Sequence, residues 1–222
     1  MEFVDMNTEM IAKTESFLKE TFASSSFLME NPAEAAYRLE HSYRVANIAK
    51  AIAEAEGFDV TEAVVAGLLH DIAYCEEMTT REERRNHGRR GAEIVRPFLV
   101  SLGFPQDRVN AICYGIAIHV DDTASFEWER TPFTETVGDA DNIDRFDVYR
   151  IYEILQIQKF SEMTLEQKVN RVNTALGRLS KLLEMKMATP TAQRLWVERL
   201  EYYISFYRKL EEQLANSGQI LL

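Results

Sequence analysis

Apolar side chains recur at helical spacing along most of this chain, and that periodicity limits the folds available to it. Between residues 45 and 53, for instance, they fall at the i, i+3, i+4 and i+7 positions that make one face of a helix. Only 9 glycines and 5 prolines interrupt 222 residues, mainly where such helices should begin or end. No window alternates apolar and polar residues as a half-buried strand would. The sequence therefore predicts an all-α fold.

Capping residues and periodicity together place the individual helices. A helix over residues 34–56 ends at Gly57, and Asp59 with Glu62 resembles a capping box that opens the next one. Residues 63–69 are apolar nearly all round, which is typical of a central, buried helix. A helix is predicted at about 89–102, with a kink or break near Pro97, and another from after Pro105 to near His119. Three more are predicted from about 135 to 158, from Thr164 to about 183, and from Pro190 toward 214. The irregular stretch 121–134 could lie across the mouth of a pocket.

Length and composition favour one folded domain. A chain of 222 residues is short for two well-formed domains, and 46% apolar with 27% charged residues is ordinary globular usage. We therefore expect a single all-α domain over residues 1–222, with two long helices forming a C-terminal extension at about 160–216. That pair could cover the rest of the fold or form a homodimer interface.

The net charge and the cysteine count indicate the cellular compartment of the protein and the classes of partner that it does not bind. A charge of −11 creates no global field toward nucleic acid or an anionic membrane, so an anionic substrate must be held by a local cluster or a metal. No uncharged apolar stretch approaches ~18 residues, and the first residues lack a signal-peptide pattern. Cys75 and Cys113 fit a reducing compartment. We expect a cytoplasmic protein with no membrane or nucleic-acid partner.

The four histidines fall at helix starts or ends, beside carboxylates or arginines: His41, His70, His87 and His119. His70 and Asp71 directly follow the apolar run 63–69, so both polar side chains come after a buried segment. A buried carboxylate beside an imidazole is costly unless a cation or hydrogen bonds satisfy it. A metal is the economical explanation. Imidazole with carboxylate suits Mn, Fe, Ni, Co, Zn or Mg and leaves open positions for water.

A second concentration of acids lies further along the chain. Asp139, Asp141 and Asp144 fall within six positions at the start of a predicted helix. Carboxylates this close repel one another unless they are solvated, capping or bound to a cation. Asp139 could be an N-cap and Asp144 a surface acid, and we expect Asp141 to be the residue that turns inward.

This ordered set of motifs resembles the HD-domain superfamily of metal-dependent phosphohydrolases, and within it the small stand-alone bacterial members. The match depends on His41-x-x-Arg44-Val45, on the Gly-Leu-Leu-His-Asp-Ile segment at 67–72 and on the acidic stretch 139–144. It covers about 35–155, which would be the HD-domain core, and leaves the C-terminal helices outside. The resemblance implies that the metal ligands are His41, His70, Asp71 and Asp141. The family's Ala-Asp pattern points to Asp141 rather than Asp139.

His87 and His119 match the intermediate histidines of many family members, which bind a second metal or contact the scissile phosphate. With one ion they would act on the phosphate and the leaving oxygen, so the predicted catalytic residues are Asp71, His87 and His119. With two ions they would complete the second site, and Asp71 would bridge. The alternative is that either is an ordinary helix-end histidine.

The local basic cluster contains Arg84, Arg85, Arg89 and Arg90, with no acid between residues 84 and 92. Guanidinium groups bind phosphate in bidentate fashion, so the cluster could clamp a phosphate. For most of these arginines we prefer the alternative, in which they pair with acids on a solvated face: Glu76, Glu77, Glu82, Glu83 and Glu93. Arg44, Arg90 and Arg145 are the predicted substrate-binding arginines.

The resemblance implies hydrolysis of a phosphoester or phosphoanhydride by a metal-activated water, with a small phosphorylated molecule, most readily a nucleotide, as the substrate. One alternative is a di-iron HD-domain oxygenase, which would consume oxygen without releasing phosphate. The other is a non-enzymatic helical signalling module whose metal is structural, which would have a closed coordination sphere.

Overall fold

The computed structural model describes residues 6–218, and all regular structure within that range is helical. The predicted all-α class is confirmed. The α-helices of these residues are α1 (Met6–Ala23), α2 (Ser26–Glu30), α3 (Pro32–Glu56), α4 (Val60–Leu69), α5 (Arg81–Ser101), α6 (Gln106–Ile118), α7 (Pro132–Asp144), α8 (Val148–Ile157), α9 (Leu165–Leu182) and α10 (Pro190–Ala215). Two short 3₁₀ helices, Ile72–Cys75 and Phe160–Glu162, complete the set.

The chain divides into two compact units, one ending at Asp141 and the other beginning at Asn142. The single domain expected over residues 1–222 stays a prediction. In the first unit α4 is central, because it packs against α1, α3 and α6. Every α4 residue after Val60 is buried, as the apolar run predicts. This buried helix therefore carries His70 and Asp71, which follow it directly, into the interior of the unit.

Several helix ends follow the predicted capping signals. Gly57 ends α3 in the left-handed conformation at φ 73°, which glycine adopts without steric cost. The Asp59 side chain accepts a hydrogen bond from the Glu62 backbone N–H at 3.0 Å. The Glu62 carboxylate does not complete a capping box but accepts a hydrogen bond from Arg108 Nε at 2.6 Å. This side-chain pair therefore links α4 to α6.

Two helix predictions were wrong in their boundaries. Helix α5 begins at Arg81 rather than near 89, because Thr80 and Glu83 form a capping box ahead of a polar first half, and it continues through Pro97 without a break. The single helix expected from 135 to 158 is two helices, α7 and α8. They are separate because the Asp147 side chain caps α8, accepting from the Val148 backbone N–H.

The second unit contains the antiparallel pair α9 and α10, which pack on each other. Thr164 and Gln167 form the predicted capping box of α9, and Thr189 caps α10 immediately before Pro190. Trp196 of α10 is buried, and its indole N–H donates to the Leu182 carbonyl at 3.0 Å. Within residues 6–218, no helix combines the length and apolar character needed to cross a lipid bilayer.

Candidate metal centre

His70 and Asp71 occupy the buried end of α4. His70 is the C-cap of α4 and is fully buried. Asp71 is the N-cap of the following 3₁₀ helix and is only 4% exposed. Burial lowers the pKa of His70 to about 4, so its imidazole is neutral at pH 7. Burial alone would raise the pKa of Asp71, but His70, His119 and His87 together hold it well below its usual value. This part of the chain thus presents a neutral imidazole beside an ionised carboxylate, the protonation states that a metal ion requires.

Two pairs of histidines meet on either side of Asp71. The Nε2 atoms of His41 and His70 lie 3.2 Å apart, and those of His87 and His119 lie 3.0 Å apart. Asp71 Oδ1 lies 3.0 Å from His87 Nε2, and Asp71 Oδ2 lies 3.6 Å from His41 Nε2. The described residues therefore form two groups of three potential ligands that share Asp71. We call His41, His70 and Asp71 the first triad, and Asp71, His87 and His119 the second triad.

Backbone carbonyls fix the orientation of three of these imidazoles. The Nδ1 atoms of His70, His87 and His119 lie 2.8, 2.6 and 2.6 Å from carbonyl oxygens three residues earlier, those of Gly67, Arg84 and Ile116. Because a carbonyl oxygen only accepts, each Nδ1 carries the hydrogen, and the Nε2 lone pair points into the cluster. Facing lone pairs at 3.0 Å repel unless a cation or proton lies between them. This donor set, with its outer hydrogen bonds in place, therefore fits a divalent ion.

Gly88 permits the second triad to form. A Cβ atom at this position would lie 2.7 Å from the Ile116 carbonyl oxygen and 3.1 Å from His119 Nδ1. Helix α5 can therefore approach the end of α6 this closely only where it has no side chain. That approach brings His87 of α5 to His119, the C-cap of α6.

Among the three clustered aspartates, the structure places Asp141 beside the histidines. It is buried on α7, and its Oδ1 lies 3.1 Å from His41 Nε2. Asp139 is not an N-cap, because α7 begins at Pro132 and Asp139 is buried two turns into it. Asp144 is buried rather than at the surface, and it belongs to the second unit.

Comparison with known proteins identifies the family. The model of the HD domain matches residues 38–149, just over half of the chain. This chain belongs to the HD-domain family. The predicted resemblance is thus confirmed, and the HD-domain protein is a metal-dependent hydrolase. HD domains bind divalent metals, and the two triads form a histidine and aspartate cluster that could hold one.

Two solved structures share the fold of this HD-domain protein. One is a predicted HD superfamily hydrolase from an uncultured Thermotogales bacterium, 20% identical, with a TM-score of 0.61 over 91% of each chain. The other is Bacillus subtilis YpgQ in complex with ADP, 19% identical, with a TM-score of 0.60 over 94% of this chain and 97% of that one. No curated protein matches the sequence. At these identities the likeness concerns the fold.

The three predicted substrate-binding arginines lie in different surroundings. Arg44 is half-buried on α3, and Arg145 is exposed in the second unit. Arg90 is engaged by acids, because its Nη2 lies 2.6 Å from Glu76 and its Nη1 lies 3.1 Å from Glu93. This is the solvated pairing that we considered as the alternative for the basic cluster.

Other arginines of the cluster line a cavity near the second triad. Arg85 Nε and Arg89 Nη1 both bind Asp121, at 2.8 and 2.7 Å. Since Asn86 precedes His87 and Asp121 follows His119 by two residues, the cavity lies beside these histidines. Its volume is about 860 Å³, and we call it the arginine cleft; its lining residues are Arg81, Glu82, Arg85, Asn86, Arg89, Asp121 and Thr123.

Arg38 contacts the centre of this HD-domain protein but was not singled out in the sequence. Its Nη1 donates to Asp71 Oδ2 at 2.9 Å. Its guanidinium also stacks on Tyr74, with the central carbon 3.4 Å from the ring centre. The available signal was spacing, because Arg38 lies three residues before His41 and therefore on the same side of one helix.

Proposed function

We propose that this protein hydrolyses a phosphoester or phosphoanhydride bond of a nucleotide, with a divalent ion bound by His41, His70, Asp71 and Asp141. The observation that carries the proposal is the convergence of these imidazole and carboxylate atoms from α3, α4 and α7 inside a buried cluster. When bound, the ion would lower the pKa of a coordinated water from ~15.7 toward ~7 and neutralise charge on the phosphoryl oxygens.

His87 and His119 are proposed to act on the phosphate and the leaving oxygen. The Nδ1 of each already donates to a carbonyl, so a transferable proton must sit on Nε2. Asp71 Oδ1, 3.0 Å from His87 Nε2, would stabilise the protonated imidazole that donates it. His87 is therefore the better placed general acid, and His119 the better placed electrostatic donor to the phosphate.

The arginine cleft supports a substrate that extends beyond one phosphate. Within residues 6–218 Arg81 makes no ion pair, while Arg85 and Arg89 share a single aspartate, so the cleft has positive charge left for an anion. The related fold of YpgQ in complex with ADP supports a nucleotide. Arg44, Arg90 and Arg145 remain predicted substrate contacts, and Arg90 would first have to release Glu76 and Glu93.

The test is a substrate panel with separate divalent ions. The metal-free protein would be incubated with nucleoside mono-, di- and triphosphates and with a simple aryl phosphate, each with Mn²⁺, Fe²⁺, Co²⁺, Ni²⁺, Zn²⁺ or Mg²⁺. We expect phosphate or pyrophosphate release with at least one ion. His70→Ala and Asp71→Ala should lower the release at least 100-fold, because each removes a ligand of the first triad.

Asp107→Ala is the matched control, since this exposed acid lies in the first turn of α6 in the same unit and should leave the release unchanged. Release that survives Asp71→Ala would contradict the proposal. Oxygen uptake without phosphate release would support the di-iron oxygenase instead.

A further inference from the structure

We propose that Arg38 limits the metal centre to one divalent ion by occupying the Asp71 oxygen that a second ion would need. The inference rests on the proposed metal site but concerns a residue outside the ligand set. Asp71 is the one residue that the two triads share. To hold an ion in each triad at once, its carboxylate would bind one ion through each oxygen, which is the common bridging mode of a carboxylate between two metal ions.

The two oxygens of Asp71 have different neighbours. Oδ1 lies 3.0 Å from His87 Nε2 and 3.6 Å from His70 Nε2, so it faces both triads. Oδ2 lies 2.9 Å from Arg38 Nη1 and 3.6 Å from His41 Nε2. Because His87 and His119 both face Oδ1, an ion in the second triad would use that oxygen. An ion held in the first triad at the same time would then have to use Oδ2, which it would share with Arg38. A single ion in the first triad can use Oδ1 instead.

Arg38 is held in place from three sides. Besides the bond to Asp71, its Nε donates to Glu34 at 2.8 Å, and its guanidinium stacks on the Tyr74 ring. Its side chain is only 18% exposed. Because a guanidinium stays protonated at any ordinary pH, Arg38 is a permanent charge that cannot easily swing away.

Arg38 has two opposite effects on the binding of a second ion: its charge repels the ion, and its hydrogen bond orients the Asp71 carboxylate. An outer hydrogen bond to a ligand typically raises metal affinity about 10- to 100-fold by orienting that ligand. A divalent ion on Oδ2 would lie roughly 5 Å from the guanidinium, given a metal–oxygen distance of ~2.0–2.2 Å. Repulsion between two positive charges at this distance, in a buried site, outweighs the orienting effect. Removing the charge should therefore strengthen binding of a second ion.

The experiment counts metal ions in three forms of the full chain. Wild type, Arg38→Gln and Arg38→Lys would be stripped of metal, titrated with Mn²⁺ by calorimetry and assayed for bound manganese after dialysis. We expect one ion per chain in wild type and in Arg38→Lys, which keeps the charge. Arg38→Gln keeps a hydrogen-bond donor without the charge. It should bind a second ion at least tenfold more tightly than wild type does, and its electron paramagnetic resonance spectrum should show two coupled manganese ions.

The matched control is Arg108→Gln. Arg108 likewise binds a buried carboxylate, that of Glu62, and lies 5.4 Å from the Phe133 ring centre, so its loss tests general destabilisation. It should leave one ion per chain. Two ions in wild type, or one ion in well-folded Arg38→Gln, would overturn the proposal. If Arg38→Gln does not fold, Arg38→Met, which also lacks the charge, takes its place in the same count.

These counts are independent of catalysis. A wild type that binds one ion but releases no phosphate from any substrate would contradict the proposed function while leaving the role of Arg38 intact. Phosphate release with a single ion in Arg38→Gln would support the function and contradict the role of Arg38.

Discussion

At the scale of single residues, the metal centre depends on one position that carries no side chain. His87 and His119 have Nε2 atoms 3.0 Å apart, although 32 positions separate them in sequence. Their helices meet at Gly88, where the Ile116 carbonyl occupies the space of a Cβ atom. Because Ile116 also accepts the His119 Nδ1 hydrogen bond, the close approach and the imidazole orientation depend on the same backbone atom.

Gly88→Ala should therefore destabilise the protein and damage the second triad. An overpacked contact typically costs about 1–3 kcal/mol, and urea unfolding would measure the loss. Hydrolysis should fall more than stability alone explains, since His119 moves. Gly177→Ala on α9 is the control, because a Cβ atom there meets nothing within 4 Å. That variant should gain about 0.5–1 kcal/mol from helix propensity; equal losses in both variants would contradict the steric explanation.

Cys113 should be inert to alkylation while the protein is folded. It is fully buried, and burial raises the pKa of its thiol to about 11. At pH 8 the thiolate, which is the reactive form, is then about 0.1% of the population. Because the folded pKa is raised, reactivity increases only as pH rises toward 11 or as the chain unfolds. Mass spectrometry after iodoacetamide treatment at pH 8 should show Cys75 modified before Cys113; the reverse order would contradict this prediction.

At the scale of helices, the sequence predicted helix boundaries correctly where a capping residue lies next to an apolar stripe. Gly57, Asp59, Thr164 and Thr189 mark helix ends in the sequence, and the structure has them there. The start of α5 was missed because its first half is polar, so only the Thr80 capping box marked it. Such signals are local. They could not show that Arg38 reaches Asp71, 33 positions away, because that contact depends on how α3 packs against α4.

Thr189→Ala tests the contribution of a cap to the second unit. The Thr189 hydroxyl accepts from the Ala192 backbone N–H at 3.1 Å and is buried, so its loss leaves that donor without a partner. We expect a loss of about 1–2 kcal/mol in the free energy of unfolding. Thr174→Ala provides the comparison, because its exposed hydroxyl only bonds back to the Asn170 carbonyl within α9. That change should be neutral or slightly stabilising, and a similar loss in both variants would count against the cap.

At the scale of the whole molecule, the candidate ligands all belong to the first unit. They come from α3, α4, α5, α6 and α7, yet none lies beyond Asp141. The sequence could predict which histidines and aspartates come together in the candidate site, because the family motifs mark them. The resemblance also offered Asp71 as a bridge between two ions. The sequence could not show how closely the four imidazoles surround that one carboxylate, since this depends on how α3, α4, α5 and α6 pack.

A bound divalent ion should therefore stabilise the first unit selectively. An ion that binds only the folded state adds RT ln(1 + [L]/Kd), about 2.7 kcal/mol at a hundredfold excess over Kd. Because the proposed ligands of the ion come from α3, the end of α4 and the part of α7 that belongs to the first unit, amide exchange should slow in α3 and α4 when Mn²⁺ is added, and exchange in α9 and α10 should change little. Hydrogen-exchange mass spectrometry with and without a chelator would measure both. Asp71→Ala should abolish the difference; equal protection of α9 and α10 in wild type would show that the ion acts on more than the unit that binds it.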